Sequence, residues 1–338
     1  MTTATTATAG AEAPPASAAP DWRGNRWLLF GLRRSARLVV SLWVLVTAAF
    51  LMIHLIPGDP VRAALGMTAA PDLVAARRAE LGLDDPLWQQ YLHFLGGLFT
   101  GDLGSSTISG QSVTQTIGDR LPATVQLAGL AFVLALAVAV PLGTAMAALT
   151  RGGRRRGAEL AFTSVSVLLA AIPEFLLAVV LAYVFAVRLE WFPVAGREGP
   201  GSYVLPVLAL SIGPASVLAR IGRVEMLSVL GHDYVRTARA KRLPPRRVYV
   251  RHALPNALTA TLTLGGLLLS ALVAGTVLVE NVFAWPGLGS TIVQSIVQKD
   301  YPVVQGIVLV YGAGVLVVNL LVDVVLALLD PRSAIGEA

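Results

Sequence analysis

The sequence predicts an all-α integral membrane protein with six transmembrane helices and both termini in the cytoplasm. Three observations carry that reading. Of 338 residues, 55% are apolar and only 14% charged, against about 25% charged in a soluble domain. The apolar residues gather into six runs nearly free of Lys, Arg, Asp and Glu, at 38–56, 123–149, 160–187, 203–219, 258–279 and 303–329. The basic residues then cluster on alternate sides of those runs.

Taken in order, residues 1–20 are rich in Ala, Thr and Pro without hydrophobic periodicity, which reads as a disordered tail. They have neither the basic start nor the apolar run of a secretory signal. Residues 21–56 read as a basic lead-in and the first span. A helix crossing about 30 Å of hydrocarbon needs about 20 residues. Five runs reach or approach that length. The fourth is expected to continue past Arg220 toward Leu230, its arginine heads snorkelling to the interface. Residues 57–121 read as a small external helical subdomain, in which PDLVAARRAEL and DDPLWQQYLHFLGGLF both look helical. Trp88, Leu92, Leu95 and Phe99 recur on one helical face, which is expected to pack on the bundle rather than lie in the lipid interface. Residues 122–329 form the transmembrane core, with a cytoplasmic loop at 231–256, and 330–338 a cytoplasmic tail. The period-two alternation of a membrane barrel is absent from these runs.

Orientation follows from the cations. With the N-terminus inside, 19 of the 26 Lys and Arg face the cytoplasm: five in 23–37, four in 151–156, nine in 220–251, and Arg332. Short basic loops stay on the cytoplasmic side. The net charge of +6 is therefore a topology signal, and a nucleic-acid partner is not expected. No cysteine occurs, which removes disulfides, thiolate metal sites and thiol nucleophiles together.

Catalytic chemistry is missing from the sequence. There is no G-x-x-x-x-G-K-[ST] phosphate loop and no H-E-x-x-H. His54, His93, His232 and His252 are scattered over both sides, and no G-x-S-x-G elbow has a plausible His and acid beside it. No cofactor or metal site is expected in this chain. Two acids fall within spans, Glu174 after Pro173 and Asp323 four residues after Asn319. A charge at mid-membrane costs about 2.5–3.5 kcal/mol on insertion scales, so both should face protein or water. With no intramembrane Lys or Arg to pair with, they make a thin ion relay. Glu174, Asn319 and Asp323 are expected to serve as polar contacts within the bundle.

The cytoplasmic segment HDYVRTARAKRLPPRRVYVRHALPN, residues 232–256, is more organised than a basic loop needs to be. Asp233 suits a helix start and Arg239 and Lys241 a helix end. Pro244 and Pro245 stop that helix. A second short helix is expected to follow and to end near Pro255, giving a rigid block that another protein can grip.

Here the residues resemble a known family. The segment looks like the E-A-A loop of ATP-binding-cassette importer permeases, with Arg236, Thr237 and Ala238 in the E-A-A place, Arg242 at the glycine, and His252, Ala253, Leu254 and Pro255 at the end. The run DYVRTARAK, with Asp233, Tyr234, Arg239, Ala240 and Lys241, is similar to the dipeptide/oligopeptide/nickel subfamily. So are IPGDP at 56–60, LGLDDPLWQQY at 81–91, GDLGSS at 101–106, VENVFAWPGLG at 279–289, KDYPVVQG at 299–306 and DPR at 330–332. The resemblance implies a type I importer permease in the plasma membrane of a prokaryote. Its partners would be a second homologous permease, two cytoplasmic ATPases that bind ATP and Mg, an extracytoplasmic solute-binding protein and membrane lipid. The cargo would be peptide-like. Arg242 departs from the family glycine, where φ > 0 is cheap, and a different turn imposed by the prolines is expected there. The alternative is a self-contained secondary transporter driven by an ion gradient. That class usually carries internal repeats, and none is convincing between the two halves.

Overall fold

The computed structural model describes residues 22–55, 61–62, 69–80 and 82–329. The tail at 1–20, the IPGDP motif and the 330–338 segment with its DPR lie outside the described residues. Eleven helices of eight or more residues can be followed within them. They are α1 (Trp22–Leu55), α2 (Pro71–Glu80), α3 (Leu87–Thr100), α4 (Val113–Thr150), α5 (Arg156–Ala171), α6 (Glu174–Leu181), α7 (Val204–Val229), α8 (Asp233–Ala240), α9 (Leu254–Val282), α10 (Leu288–Gln298) and α11 (Tyr301–Leu329). Five are long and apolar enough to cross a membrane, and α5 with α6 makes a sixth, bent span.

The centre of the bundle is the seam between α4 and α7. Along α4, Ala131, Ala135, Ala139, Gly143 and Ala147 recur every fourth residue, and all are buried. That spacing puts them on one helical face. In a bilayer, lipid tails solvate Leu as well as another helix does, so association relies on close packing, for which small residues are suited. The approach is tightest at Gly143, where a Cβ would lie 2.7 Å from the Ala219 carbonyl oxygen and 3.1 Å from the Arg223 nitrogen of α7. Leu210, Leu218 and Ala219 of α7 are fully buried. Around the seam, α7 also packs on α5, α6 and α9, while α1 lies against α11.

Several sequence expectations need correction. The fourth span does continue through Arg220 to Val229. The third is not one helix. Pro173 has no N–H and crowds the preceding turn, Ile172 is extended at φ −75°, ψ 122°, and α5 and α6 meet at 93°. A π-helical stretch, Ala182–Arg188, follows α6. Helix α4 begins at Val113, so the last residues of the expected external subdomain are its extension, and Pro122 and Pro141 are carried inside it. On α3 the periodic face does not pack on the bundle: Trp88, Leu92 and Phe99 are exposed. Its other face does the packing, with Tyr91 and Phe94 against Phe50 of α1 at 5.1 and 5.8 Å between ring centres. The exposed face has the make-up of an interfacial anchor, apolar with a Trp.

The seam generates a paired expectation. Gly143→Ala forces a Cβ into backbone and should cost about 1–3 kcal/mol by overpacking. Gly314→Ala on α11, with nothing within 4 Å of the added atom, should leave stability unchanged or slightly raised. Thermal unfolding of the purified protein in detergent separates the two.

Candidate functional site

The block at the basic end is built on α8. Asp233 lies in its first turn and Arg239 in its last, which complements the helix dipole. Val235 and Ala238, three residues apart, are buried against Met226, Leu230, Val248 and Ala253. Thr237 Oγ1 donates to the Asp233 carbonyl at 3.0 Å, and Asn256 Nδ2 donates to Tyr234 Oη at 3.0 Å, tying the block to the start of α9. Asp233, Tyr234, Arg236, Thr237, Ala240, Lys241, Arg242 and Pro255 are exposed, whereas Arg239, His252 and Leu254 are half-buried. The Arg236–Asp233 pair, 3.4 Å apart and open to solvent, adds little to stability.

The end of α8 differs from the expected altered turn. Leu243 N–H donates to the Ala238 carbonyl and Arg242 N–H to the Arg239 carbonyl, at 3.4 and 2.8 Å. That pair of bonds is a Schellman motif, whose penultimate residue is left-handed. Arg242 takes that conformation at φ 54°. The arginine adopts the geometry a glycine would give and bears its steric cost. Nor does a separate second helix end near Pro255. Pro245–Arg247 and the π-helical Val248–Ala253 run directly into α9, with Pro255 in its first turn, where a missing N–H costs nothing.

Two arginines stand behind the block. Arg223 of α7 is buried and donates to Thr150 Oγ1 at 3.0 Å and to Glu159 Oε1 at 2.6 Å, joining α7 to α4 and α5. Arg239 differs in that its Nη2 is buried with no hydrogen-bond partner.

The opposite end is closed by a network that sequence reasoning did not assign. Glu280, fully buried near the end of α9, accepts from Thr124 Oγ1 of α4 at 2.7 Å. It also accepts from the Gly289 and Ser290 N–H groups of α10, at 2.7 and 3.1 Å. A carboxylate there satisfies the orphan donors of a helix start. Trp285, also fully buried, donates to the Ala123 carbonyl at 3.2 Å and meets Tyr203 edge-on. Asp300 accepts from Thr107 N–H at 3.0 Å and from Ser106 Oγ at 2.5 Å. The motifs GDLGSS and KDYPVVQG, far apart in the chain, are thus bonded to each other.

The three intramembrane candidates are not brought together. Asn319 accepts from Ser270 Oγ of α9 at 2.8 Å. Asp323 pairs with Arg34 of α1, so the expectation that it had no basic partner was wrong. Arg34 belongs to the basic lead-in, and the continuous α1 carries it alongside α11. Glu174 opens α6 immediately after the break. Among the described residues no cluster of His, Asp and Glu is placed to hold a metal.

This all-helical architecture, with its basic cytoplasm-type block, meets a family model over most of the chain. Residues 139–335 match the binding-protein-dependent transport system inner membrane component, and 27–128 its N-terminal counterpart. The chain belongs to that family. The permease is 38% identical over 309 residues to a protein of Brucella suis assigned as a peptide transport system permease, covering 89% of this chain and 97% of the relative. It is 37% identical over 305 residues to a glutathione transport system permease of Salmonella typhimurium, covering 90% and 98%. Inward-facing structures of the MetNI methionine ABC transporter share the fold, with TM-scores of 0.51 and 0.54 at 19% and 16% identity. They cover 64% of this chain and 97% of theirs. The permease is a non-catalytic membrane subunit of an ABC importer, and ATP is hydrolysed by a partner ATPase.

Two substitutions test the two ends. Arg242→Gly should raise stability by about 1 kcal/mol, the order of the left-handed penalty for a residue with a Cβ, seen as a higher Tm. Glu280→Ala leaves two amides and a hydroxyl without their acceptor and should cost about 3 kcal/mol. Glu280→Gln, which keeps an acceptor oxygen, should cost distinctly less in the same measurement.

Proposed function

We propose that this permease passes peptides or glutathione inward across the plasma membrane, as one half of a path shared with a second homologous permease. An extracytoplasmic solute-binding protein delivers cargo to the end closed by Glu280, Trp285 and Asp300. Two cytoplasmic ATPases grip the basic end, and the 231–256 block carries their closure into the spans. The cargo classes are those named for the Brucella and Salmonella relatives.

The observation that supports coupling most directly is the division of α8 into two faces. One face is fixed to the bundle through Val235 and Ala238. The other presents Asp233, Arg236, Thr237, Ala240 and Lys241 to the surroundings. A helix anchored along one side and capped at its end moves with the spans rather than independently of them.

Asp233→Ala combined with Arg239→Glu should abolish ATP-dependent uptake by the assembled transporter while membrane insertion and binding-protein affinity persist. Uptake at the unaltered rate would exclude the docking role. Gradient-driven uptake by this chain alone in liposomes would exclude the importer reading altogether.

A further inference from the structure

The third span is interrupted where an unbroken helix would be cheapest. Pro173 offers no N–H, so the Leu169 carbonyl one turn earlier loses its helical donor. Irregular backbone at membrane depth is tolerated only where protein covers it or where it lines a water-filled space. Leu169, one turn before the break, lines an open apolar groove of about 580 Å3 among α4, α5 and α7. Glu174 follows the break directly. Among the described residues no hydrogen-bond donor and no cation partners its carboxylate. Two other acids in the bundle differ in this respect: buried Glu280 has three donors, and half-buried Asp323 has Arg34.

The neighbouring helix has made room for this carboxylate. A Cβ on Gly275 of α9 would collide with Glu174 Oε2, so any side chain at 275 would displace the acid. Gly275 precedes the end of α9 by seven residues, or about 10 Å along the axis. A carboxylate held at that depth without a protein cation is costly unless a cation visits it.

We propose that Glu174 is a cargo-contacting residue, a transient counter-ion for an ammonium group passing along the translocation path. The inference rests on the importer reading above and narrows the cargo to molecules with a free amino group. The peptides and glutathione named for the relatives share that group. A cation meeting one carboxylate in a poorly hydrated site gains a charge-assisted hydrogen bond, and losing such a contact lowers affinity by about tenfold or more.

The test uses the complete transporter with its binding protein in proteoliposomes, with trialanine and N-acetyl-trialanine as probes. ATP-dependent uptake of trialanine by the unaltered complex establishes the importer reading, and its failure there overturns that reading independently of Glu174. Glu174→Gln should then slow trialanine uptake about tenfold and leave the slower uptake of the acetylated probe unchanged. Glu174→Asp should restore most of the loss. An equal loss for both probes, or no loss for either, overturns the proposal. The chain lacks cysteine, so Glu174→Cys also places a single thiol in it. Labelling of that thiol by a cationic methanethiosulfonate, slowed by trialanine, is expected, and a thiol that never reacts overturns the proposal.

Discussion

The close backbone contact between α4 and α7 is the constraint on which the rest of the permease is assembled. Lipid removes the usual hydrophobic reward for bringing helices together, so these two must gain by contact at short range. The ladder Ala131, Ala135, Ala139, Gly143 and Ala147 makes that contact possible. Around α4 and α7, the helices α5, α6, α9 and α11 find their places, and α1 lies against α11. Arg223 can then reach both Thr150 and Glu159 only because the seam holds its helix at that distance. The polar ties at the basic end are thus a result of the apolar packing, and they add orientation to it.

The two ends of the bundle solve different problems. At the basic end the groups facing outward are charged and exposed, while the face beneath them is apolar and fixed. At the opposite end the polar groups are turned inward and bonded to one another. Glu280, Thr124 and the start of α10 form one closed set, and Asp300 with Ser106 and Thr107 another. At the basic end one buried donor, Arg239 Nη2, is left without a partner. The buried polar groups of the opposite end, Glu280 and Asp300, have their partners.

Much of this was legible in the sequence because hydrophobic runs and arginine clusters are side-chain properties. Six charge-poor runs gave six spans, and Asp233, Pro244 and Pro245 gave the limits of α8. The break in the third span was not legible, since Pro122, Pro141 and Pro214 sit inside intact helices while Pro173 ends one. What distinguishes them is tertiary context rather than residue type. Glu280 was missed because a run defined by the absence of charge stops at Val279, one residue too early. Helix α10 lies between the charge-poor runs at 258–279 and 303–329, where no element was expected, although Leu288, Ile292 and Ile296 repeat at helical spacing. Arg242 misled for another reason: substitution of the expected glycine suggested a new turn, but the Schellman bonds impose φ 54° on whatever residue stands there.

The passage from the 245–253 turn into α9 without a loop has a mechanical consequence. Helix α9 has 29 residues and is therefore a rod of about 43 Å at 1.5 Å per residue. A tilt of roughly 10° about one end sweeps the other through about 7 Å on that length. The π-helical Val248–Ala253 at the foot of the rod is a place where an α-helix is already wound out of register. A displacement of α8, as the proposed coupling requires, would meet this joint first and the long helix after it. The far tip of that helix carries Glu280, the residue that closes the opposite end. One continuous element thus runs from the foot of the basic block to the network at the opposite end.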